Sequence, residues 1–362
     1  MNLSYLKKLA ETGESPDRLI ALSLLNNTYP LEELIDIAEI PRVRHYRNEV
    51  QIHVINNIKN GHCAEDCGYC AQRSSGTEDI AAYSGKTEEE ILEEAKDAFQ
   101  SGAFRYCLVT SGRGPTMQNI HKYASLIRKI KEKFPMEICL SAGIVNNPQM
   151  AQILKEAGLN RYNHNLNTSE ENYPAISKTH SYSDRLDTLK NLTGAGISIC
   201  SGIIAGLGET DEGIVDLAFR LKSYEVASIP VNFFLPVPGH IIKAEPVTYE
   251  RAMRILIVFR MINQNAEIRL AAGREHYFGE KQPDALRVAN SLFVSGYLNV
   301  KGSDAISTLE MIYGNGYSVD TKNSDLPHEL EKLQEKNKDI IHKSSATIKL
   351  KTFSDLRPHT QK

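Results

Sequence analysis

Three cysteines lie within eight residues of the chain, at Cys63, Cys67 and Cys70, and form a C-x3-C-x2-C run. Soft thiolates at this spacing can hold three corners of an iron–sulfur cube, whereas a closed site would need a fourth thiolate. One iron would then stay open to another ligand. No C-x2-C or H-x3-H pair follows at the compact spacing of a zinc finger, so the pattern disfavours a structural zinc site.

The other three cysteines, Cys107, Cys139 and Cys200, each fall within an apolar run that predicts a strand. A single cysteine in a strand is often only a small buried hydrophobe, so core packing is the alternative for each of them alone. In a barrel, however, inward side chains from several strands converge, and three such thiols can reach one metal cluster. A charged Arg269 amid apolar neighbours is costly unless it is paired or liganded, which makes it a candidate fourth ligand.

The elements that must position these residues form a regular series. Eight short apolar runs alternate with amphipathic helical segments and predict a (β/α)8 barrel, whose active site lies at the carboxyl ends of the strands. The predicted strands are Val50–Ile55, Phe104–Val109, Glu137–Ser141, Arg161–Asn167, Ser198–Ala205, Ile229–Phe234, Glu267–Ala271 and Asn290–Val294. The first cysteine run begins where the first strand ends, at the expected mouth of the barrel.

Helix boundaries between these strands are marked by capping residues. Thr87 and Glu90 form a capping box, and Pro148 opens a helix that ends at Gly158. Residues 1–48 predict an N-terminal helical extension, 49–318 the barrel, and 319–362 a C-terminal charged tail. In that tail we expect a short helix, Leu326–Asn337, followed by a solvated segment, with a docking element as the alternative.

The bulk composition excludes several classes of protein. The chain has 362 residues and a net charge of −3, which gives no indication of a nucleic-acid partner. No apolar stretch is long enough for a membrane span, and the N-terminus lacks the layout of a signal peptide. Six cysteines are too sparse for a disulfide scaffold, so we expect a cytoplasmic protein whose thiols take part in chemistry.

The cysteine run, with Tyr69 before its last cysteine, resembles the radical S-adenosylmethionine (SAM) superfamily. The chain as a whole resembles the biotin synthase family in order from about residue 40 to 318. The strings that carry the resemblance are 107–115 (CLVTSGRGP), 162–169 (YNHNLNTS), 200–202 (CSG), 206–210 (GLGET), 229–232 (IPVN) and 272–275 (AGRE).

The resemblance implies ligands for two clusters. A [4Fe–4S] cluster would be held by Cys63, Cys67 and Cys70 and chelated at its fourth iron by SAM. An auxiliary cluster, [2Fe–2S] in the family, would take as ligands Cys107, Cys139, Cys200 and Arg269. The residues alone leave the nuclearity of this second cluster open.

The resemblance also implies residues that bind SAM and substrate. Those for SAM are Tyr69, Ser111, Asn165, Asn167, Arg185 and Ile204. Arg185 would bind the SAM carboxylate, which suits a guanidinium, and Ile204 would contact adenine within the pattern G-x-I-x-G-x-x-E. The residues implied around the ureido ring of dethiobiotin are Asn163, Asn165 and Asn232. An amide both donates and accepts, which suits a neutral urea.

Two positions depart from the family pattern. Many relatives have aspartate where Asn167 stands, and an amide accepts hydrogen bonds from ribose hydroxyls less strongly than a carboxylate does. His53 stands where some relatives have serine, among residues that surround the liganding arginine and match Arg105, Ser228 and Ser291. These departures predict differences in SAM binding and in the surroundings of the auxiliary cluster.

The activity implied by the resemblance is sulfur insertion between the methyl and ring methine carbons of dethiobiotin, with SAM and the clusters carrying the radical chemistry. A flavodoxin or ferredoxin type electron donor and a homodimer are implied as well. The alternatives are a hydrogenase maturase or methylornithine synthase type of radical SAM enzyme, and a non-catalytic iron–sulfur electron carrier. An electron carrier would leave the G-x-I-x-G-x-x-E strand unexplained.

Overall fold

The computed structural model describes residues 2–74, 76, 80–238, 240–243, 247–326, 328 and 348–360. Ten strands in this part of the chain form one sheet, and every pairing between them is parallel. They are β1 (Glu49–Lys59), β2 (Arg105–Thr110), β3 (Glu137–Ser141), β4 (Arg161–Asn163), β5 (Ser198–Cys200), β6 (Ile203–Ala205), β7 (Ser228–Phe233), β8 (Glu267–Leu270), β9 (Ser291–Val294) and β10 (Ser318–Asp320).

The sheet closes on itself because β1 pairs with both β2 and β9. His53 lies opposite Arg105 on one side and opposite Phe293 on the other. The strands β5 and β6 both pair with β7 and share one position, so the barrel has eight positions around its axis. The short β10 pairs with the start of β1 at Glu49. The predicted (β/α)8 barrel is confirmed.

Helices connect the strands and cover the outside of the barrel. Those described are α1 (Leu3–Thr12), α2 (Arg18–Leu25), α3 (Leu31–Tyr46), α4 (Glu88–Gln100), α5 (Met117–Lys133), α6 (Pro148–Glu156), α7 (Tyr173–Ile176), α8 (Tyr182–Gly194), α9 (Asp211–Ser223), α10 (Tyr249–Ile262), α11 (Arg274–Phe278), α12 (Gln282–Leu286), α13 (Ala305–Gly314) and α14 (Phe353–Leu356). The capping box predicted at Thr87 and Glu90 opens α4, and Pro148 is the first residue of α6.

Two of the predicted strands are shorter or more interrupted than expected by more than one residue. The fourth ends at Asn163 rather than Asn167, and Asn167 itself has a φ of 69°, a left-handed conformation that asparagine tolerates. The fifth is interrupted at Ser201 and Gly202. A Cβ at Gly202 would lie 2.0 Å from the Pro230 carbonyl oxygen, so only glycine allows this close approach.

The N-terminal helices pack against the end of the barrel where β8 begins. Ser15 donates a hydrogen bond to the Ile262 carbonyl, and Gln264 donates to the carbonyls of Leu9 and Glu14. These contacts lie just before β8, opposite the mouth. The three helices of the predicted N-terminal extension therefore cover the amino-terminal end of the strands, while the domain limits at 48 and 318 stay a prediction.

The end of the described chain contacts the barrel. Leu350 forms an antiparallel bridge with Val300, and the amide of Lys351 donates to the carbonyl of Asn299 at 2.8 Å. Further along, Arg357 pairs with Glu90 at the start of α4 at 2.7 Å. The expectation of a solvated segment is therefore wrong for residues 348–360, whose apolar side chains cover other apolar surface. The predicted helix Leu326–Asn337 lies outside the described residues apart from positions 326 and 328.

Within the part of the chain that the structure describes, no helix combines the length and the apolar character needed to cross a membrane.

Candidate functional site

The loop that carries the first three cysteines follows β1 directly. Its backbone is fixed by Gln72, whose side chain accepts from the Gly61 amide and whose carbonyl accepts from the Cys63 amide, at 2.9 and 3.0 Å. The amide of Gly68 donates to the carbonyl of Ile176 at 2.9 Å, which ties the loop to the other side of the mouth. These hydrogen bonds therefore define the shape of the loop.

This loop borders a cavity of about 360 Å³ at the carboxyl ends of the strands. The first cysteine run and every residue predicted to bind SAM or substrate line this one cavity. They are Cys63, Cys67, Tyr69, Cys70, Ser111, Asn163, Asn165, Asn167, Arg185, Ile204 and Asn232. Positions spread over 170 residues of sequence are thus brought together, although their individual roles stay predictions.

The thiols of the loop lie in a partly buried setting. Burial raises the pKa of Cys67, and it raises that of Cys70 to about 12. The Cys67 sulfur lies 3.3 Å from Nε2 of His180. Among the described residues no three His, Cys, Asp or Glu side chains converge closely enough to hold a single metal ion. Three soft thiolates at this spacing can hold three corners of an iron–sulfur cluster and leave one iron for another ligand.

Tyr69 links the cysteine loop to the predicted SAM residues. Its hydroxyl accepts from Nδ2 of Asn167 at 2.6 Å and from Arg185 at 3.3 Å. Arg185 also donates to the Asn165 carbonyl at 2.6 Å and to the Tyr173 hydroxyl. A guanidinium has five N–H donors and these contacts use three, so two remain for a carboxylate.

The G-x-I-x-G-x-x-E pattern forms β6 and the turn after it. Glu209 accepts from the amides of Gly206 and Leu207, both at 2.8 Å, so the glutamate of the pattern closes the turn. The Ile204 amide donates to the Asn167 carbonyl at 2.8 Å. The turn and this bond hold the side chain of Ile204 at the edge of the cavity.

The predicted substrate asparagines differ in how fully they are engaged. Asn232 donates to the carbonyl of Ile203 and accepts from the Ala272 amide, while Asn163 donates to Ser141 at 3.3 Å. The buried oxygen Oδ1 of Asn165 has no partner. Since a buried polar atom without a partner is costly, this oxygen is suited to accept a hydrogen bond from a bound ligand.

The second set of cysteines lies deeper in the barrel than the first. Cys107 and Cys139 are opposite each other on β2 and β3, and Cys200 lies opposite Asn163 on β4. All three are between 1% and 6% exposed, and so is Arg269 at 2%. Parallel register, rather than spacing along the chain, brings these cysteines to one level of the barrel.

The thiols and the arginine of this level contact one another. A hydrogen bond between Cys107 and Cys139 lowers the pKa of Cys107, because it stabilises the thiolate against the cost of burial. Nη1 of Arg269 lies 3.6 Å from the Cys200 sulfur, and Nε of Arg269 is buried without a partner. A buried guanidinium with an unused edge beside three thiols fits the auxiliary cluster that the sequence predicts.

Beneath this level lies a network of charges that sequence reasoning missed in part. Glu267 on β8 accepts from Arg105 at 2.8 Å, from Arg161 at 3.1 Å and from Arg269 at 2.5 Å. Burial opposes ionisation of Glu267, but the cations around it hold its pKa well below the usual range. The sequence signal that could have identified Glu267 is a glutamate at the start of a largely apolar strand.

A second group that sequence reasoning missed surrounds the first cysteine loop. Asp66 accepts from the amides of Lys178 and Thr179 and from the Ser177 hydroxyl, and these bonds lower its pKa to about 2 against the effect of burial. Asp66 lies between two of the cysteines in sequence. Its hydrogen-bond partners are more than a hundred residues away, so no local sequence pattern identifies them. Asp66 ties the loop to the turn that carries His180.

Comparison with known families agrees with both sites. Residues 57–221 match the family described as the Radical SAM superfamily, and residues 230–318 match the Biotin and Thiamin Synthesis associated domain. The first match contains the cysteine loop and all three strand cysteines. The second contains Arg269.

Named relatives are similar over most of their length. A biotin synthase of Leptospira interrogans is 49% identical over 321 residues, which are 88% of this chain and 91% of the relative. One from Leptospira biflexa is 52% identical over 292 residues, 81% of this chain and 83% of the relative. One from Acaryochloris marina is 46% identical over 301 residues, 83% and 87% of the two chains.

Solved structures show the same fold at low sequence identity. The FeFe-hydrogenase maturase HydG of Carboxydothermus hydrogenoformans has a TM-score of 0.76 at 16% identity, covering 89% of this chain and 80% of that one. Methylornithine synthase (PylB) has a TM-score of 0.73 at 18% identity, covering 90% and 99%. With these folds shared and about half of the residues identical to named relatives, the chain belongs to the biotin synthase family of radical SAM enzymes.

Proposed function

We propose that this chain is a radical SAM sulfurtransferase that converts dethiobiotin to biotin with sulfur from an auxiliary iron–sulfur cluster. One observation carries the proposal: the two cysteine sets belong to a single barrel interior. Phe293, Tyr297 and Ala272 line the cavity that holds the first set and also pack against Cys107 and Cys139. A substrate in the cavity would therefore lie between the two sets.

The first task of the chain is to hold the [4Fe–4S] cluster and SAM at the mouth. When bound, the clusters and SAM supply the radical that removes hydrogen from the methyl and ring methine carbons, together with the sulfur that joins them. We assign Cys63, Cys67 and Cys70 as the thiolate ligands. Arg185 keeps two unused donors for the SAM carboxylate, while its other contacts fix the direction of the guanidinium.

Further contacts to SAM come from the other predicted residues that line the same cavity. Asn165 and Asn167 would bond the ribose hydroxyls, and Ile204 would pack against adenine. Tyr69 and Ser111 hold the loop beside them, since Ser111 donates to the Gly61 carbonyl at 2.6 Å. The chain thereby fixes the sulfonium end of SAM relative to the cysteine loop, and orientation of this kind contributes strongly to rate.

The second task is to position dethiobiotin. Asn163, Asn165 and Asn232 supply amide donors and acceptors for the ureido ring, and the partnerless Oδ1 of Asn165 is an acceptor for a ring N–H. The rest of the cavity wall includes Ile55 and Phe233. These apolar side chains help to exclude water from the reacting carbons.

The third task is to hold the auxiliary cluster below the substrate. We assign Cys107, Cys139, Cys200 and Arg269 as its ligands. Their near-complete burial keeps solvent from the sulfide that must reach the substrate. Enclosure also fits a cluster that is consumed as a reactant, because competing ligands cannot approach it from solution.

We further propose a flavodoxin or ferredoxin type electron donor, a homodimer and a cytoplasmic location. The first two rest on membership of the family. The third is supported by the six free cysteines, which a reducing compartment would preserve. Size measurement by light scattering tests the dimer, and reduction of the reconstituted protein by each class of donor tests the electron source.

Anaerobic reconstitution with iron and sulfide, followed by SAM, dethiobiotin and a reductant, tests the function. We expect biotin and 5′-deoxyadenosine. Absence of biotin with both clusters intact would contradict the substrate assignment, and iron for only one cluster would contradict the auxiliary site. The variant Asn165→Ala should lower biotin formation, whereas Asn315→Ala, an exposed amide outside the cavity, should not.

A further inference from the structure

Glu267 is the only described carboxylate in direct contact with the predicted arginine ligand of the auxiliary cluster. It lies on β8, two residues before Arg269, and is 1% exposed. One of its oxygens accepts from Arg269 at 2.5 Å and from Ser291 at 2.9 Å, and it lies 3.1 Å from His53. The other oxygen accepts from Arg105 and Arg161. Every group around this carboxylate is a cation or a hydrogen-bond donor.

The contacts of Arg269 divide its guanidinium into two edges. Nη2 donates to Glu267 and, at 2.7 Å, to the Ser228 hydroxyl. Nη1 faces the Cys200 sulfur, and Nε has no partner. One nitrogen is therefore fixed to the surrounding protein, and the opposite side is presented to the cysteines. Because a long arginine side chain has many rotamers, this orientation requires the bonds to Nη2.

The network also has a charge balance that suits an anionic cluster. The arginines Arg105, Arg161 and Arg269 face two carboxylates, those of Glu137 and Glu267. One positive charge is left over. A [2Fe–2S]²⁺ core with three thiolates carries one negative charge, and the excess cation would offset it.

We propose that Glu267 is a positioning residue for sulfur insertion: it holds Nη2 of Arg269 so that the rest of the guanidinium faces Cys107, Cys139 and Cys200, and it limits the positive charge beneath the auxiliary cluster. This inference rests on the proposed auxiliary cluster. The proposal assigns a role in the auxiliary site to Glu267, a residue that is not itself a cluster ligand. His53, which touches the same carboxylate oxygen, is part of the same device.

The test compares Glu267→Gln with Glu137→Gln in the reconstituted holoenzyme. Among the described residues, Glu137 accepts from Arg105 and lies 3.8 Å from Arg161 but does not contact Arg269, so it is a matched control within the same network. We expect Glu267→Gln to lose auxiliary iron to a chelator at least about tenfold faster than the parent chain, as is usual when a partner of a metal ligand is removed. Glu137→Gln should stay close to the parent rate.

A spectroscopic readout separates positioning from general stability. In the fraction of Glu267→Gln that keeps the auxiliary cluster, loss of a nearby negative charge should make the reduction potential more positive and change the visible absorption. The [4Fe–4S] cluster and its cleavage of SAM should be unchanged, which controls for folding. Equal loss from both variants, or a parent-like rate and potential in Glu267→Gln, would overturn the proposal.

Two further outcomes are distinguished by the same experiment. If the parent chain binds iron for one cluster only, the proposed auxiliary site fails before the role of Glu267 is reached. If Glu267→Gln does not accumulate as folded protein, Glu267→Asp and Glu137→Asp replace the pair. Aspartate keeps the charge but withdraws it from Nη2, so Glu267→Asp should release auxiliary iron faster than Glu137→Asp, and equal rates would overturn the proposal.

Discussion

The two cysteine sites of this barrel are built in opposite ways. Cys63, Cys67 and Cys70 are neighbours in sequence on one loop, and they border an open cavity. Cys107, Cys139 and Cys200 are separated by whole βα units and are almost fully buried. An open loop site can admit a cosubstrate at each turnover. An enclosed strand site can protect a reactant that must not meet solvent.

The supporting contacts differ as well. The loop is held by backbone bonds, by neutral partners such as Gln72 and Tyr69, and by Asp66, a half-buried carboxylate that accepts from amides and a hydroxyl. The strand site lies above paired buried charges centred on Glu267. Removing one partner of a buried charge pair is expensive, about 3–5 kcal/mol, whereas a neutral hydrogen bond is worth about 1 kcal/mol. Substitutions around the enclosed site should therefore be more destabilising than substitutions around the open site.

The largest expected effect is the loss of radical formation when one loop cysteine is removed. With Cys67→Ala, one of three thiolates is missing and the [4Fe–4S] cluster should not be retained. We expect no 5′-deoxyadenosine, while iron and absorption from the auxiliary cluster persist. Chromatography of reaction products and iron analysis check this. Loss of both clusters together would mean that the two sites are not independent.

The reciprocal change, Cys200→Ala, should separate the two halves of the reaction. The loop site keeps its three thiolates, so SAM cleavage should continue in the presence of dethiobiotin. Biotin formation should fall to background because the auxiliary cluster loses a ligand. The measurement is the ratio of biotin to 5′-deoxyadenosine. Biotin at the parent level would remove Cys200 from the proposed ligand set.

A smaller effect concerns the C-terminal segment that holds one wall of the open site. Burial lowers the pKa of Lys351 to about 8, from an ordinary value of 10.5. Between these two values the detached segment binds more protons than the docked one, so docking strengthens as pH rises from 8 to 10.5. The charged groups that act on Lys351 are Lys86, Glu94, Lys301 and Asp355.

Limited proteolysis of this segment at about pH 7.5 and pH 9.5 measures the effect, with an unfolded peptide as the control for protease activity. We expect slower cleavage at the higher pH in the parent chain. Lys351→Met removes the ammonium group and should be slow at both. A parent chain that is cleaved faster at high pH would contradict the assigned sign.

The smallest effect is expected at Asn167, within the open site. Asp tolerates the left-handed conformation of this residue, and a carboxylate accepts from ribose hydroxyls more strongly than an amide. Asn167→Asp should therefore tighten SAM binding by about threefold, as measured by calorimetry on the reconstituted protein. Asn163→Asp, at the predicted substrate position, should leave SAM affinity unchanged. Weaker SAM binding in Asn167→Asp would place the ribose elsewhere.

The difference between the two sites also explains what the sequence could predict. The loop cysteines were found from spacing alone, and the barrel from alternating apolar runs and caps such as Thr87. The level shared by Cys107 and Cys139 depends on strand register, which no local pattern encodes. We could infer that these cysteines lie close together only because a barrel was expected.

Other features escaped because their partners are distant. The contacts of Glu267 come from four other strands, β1, β2, β4 and β9, as well as from Arg269 on its own strand. The strand break at Gly202 follows from a close approach to Pro230. The segment 348–360 is rich in charge, and its docking depends on single apolar residues such as Leu350 meeting Val300. The overall composition of a segment does not reveal contacts made by single residues, so the docking was not predicted.

The docked C-terminal segment has a consequence for how the protein is made. Val300 lines the cavity, and its bridging partner Leu350 is translated fifty residues later. Glu90, which binds Arg357, emerges earlier still. During synthesis the barrel can thus close while one wall of its mouth lacks its outer support. Until Leu350 meets Val300, this wall of the cavity is covered by less of the chain than in the finished structure.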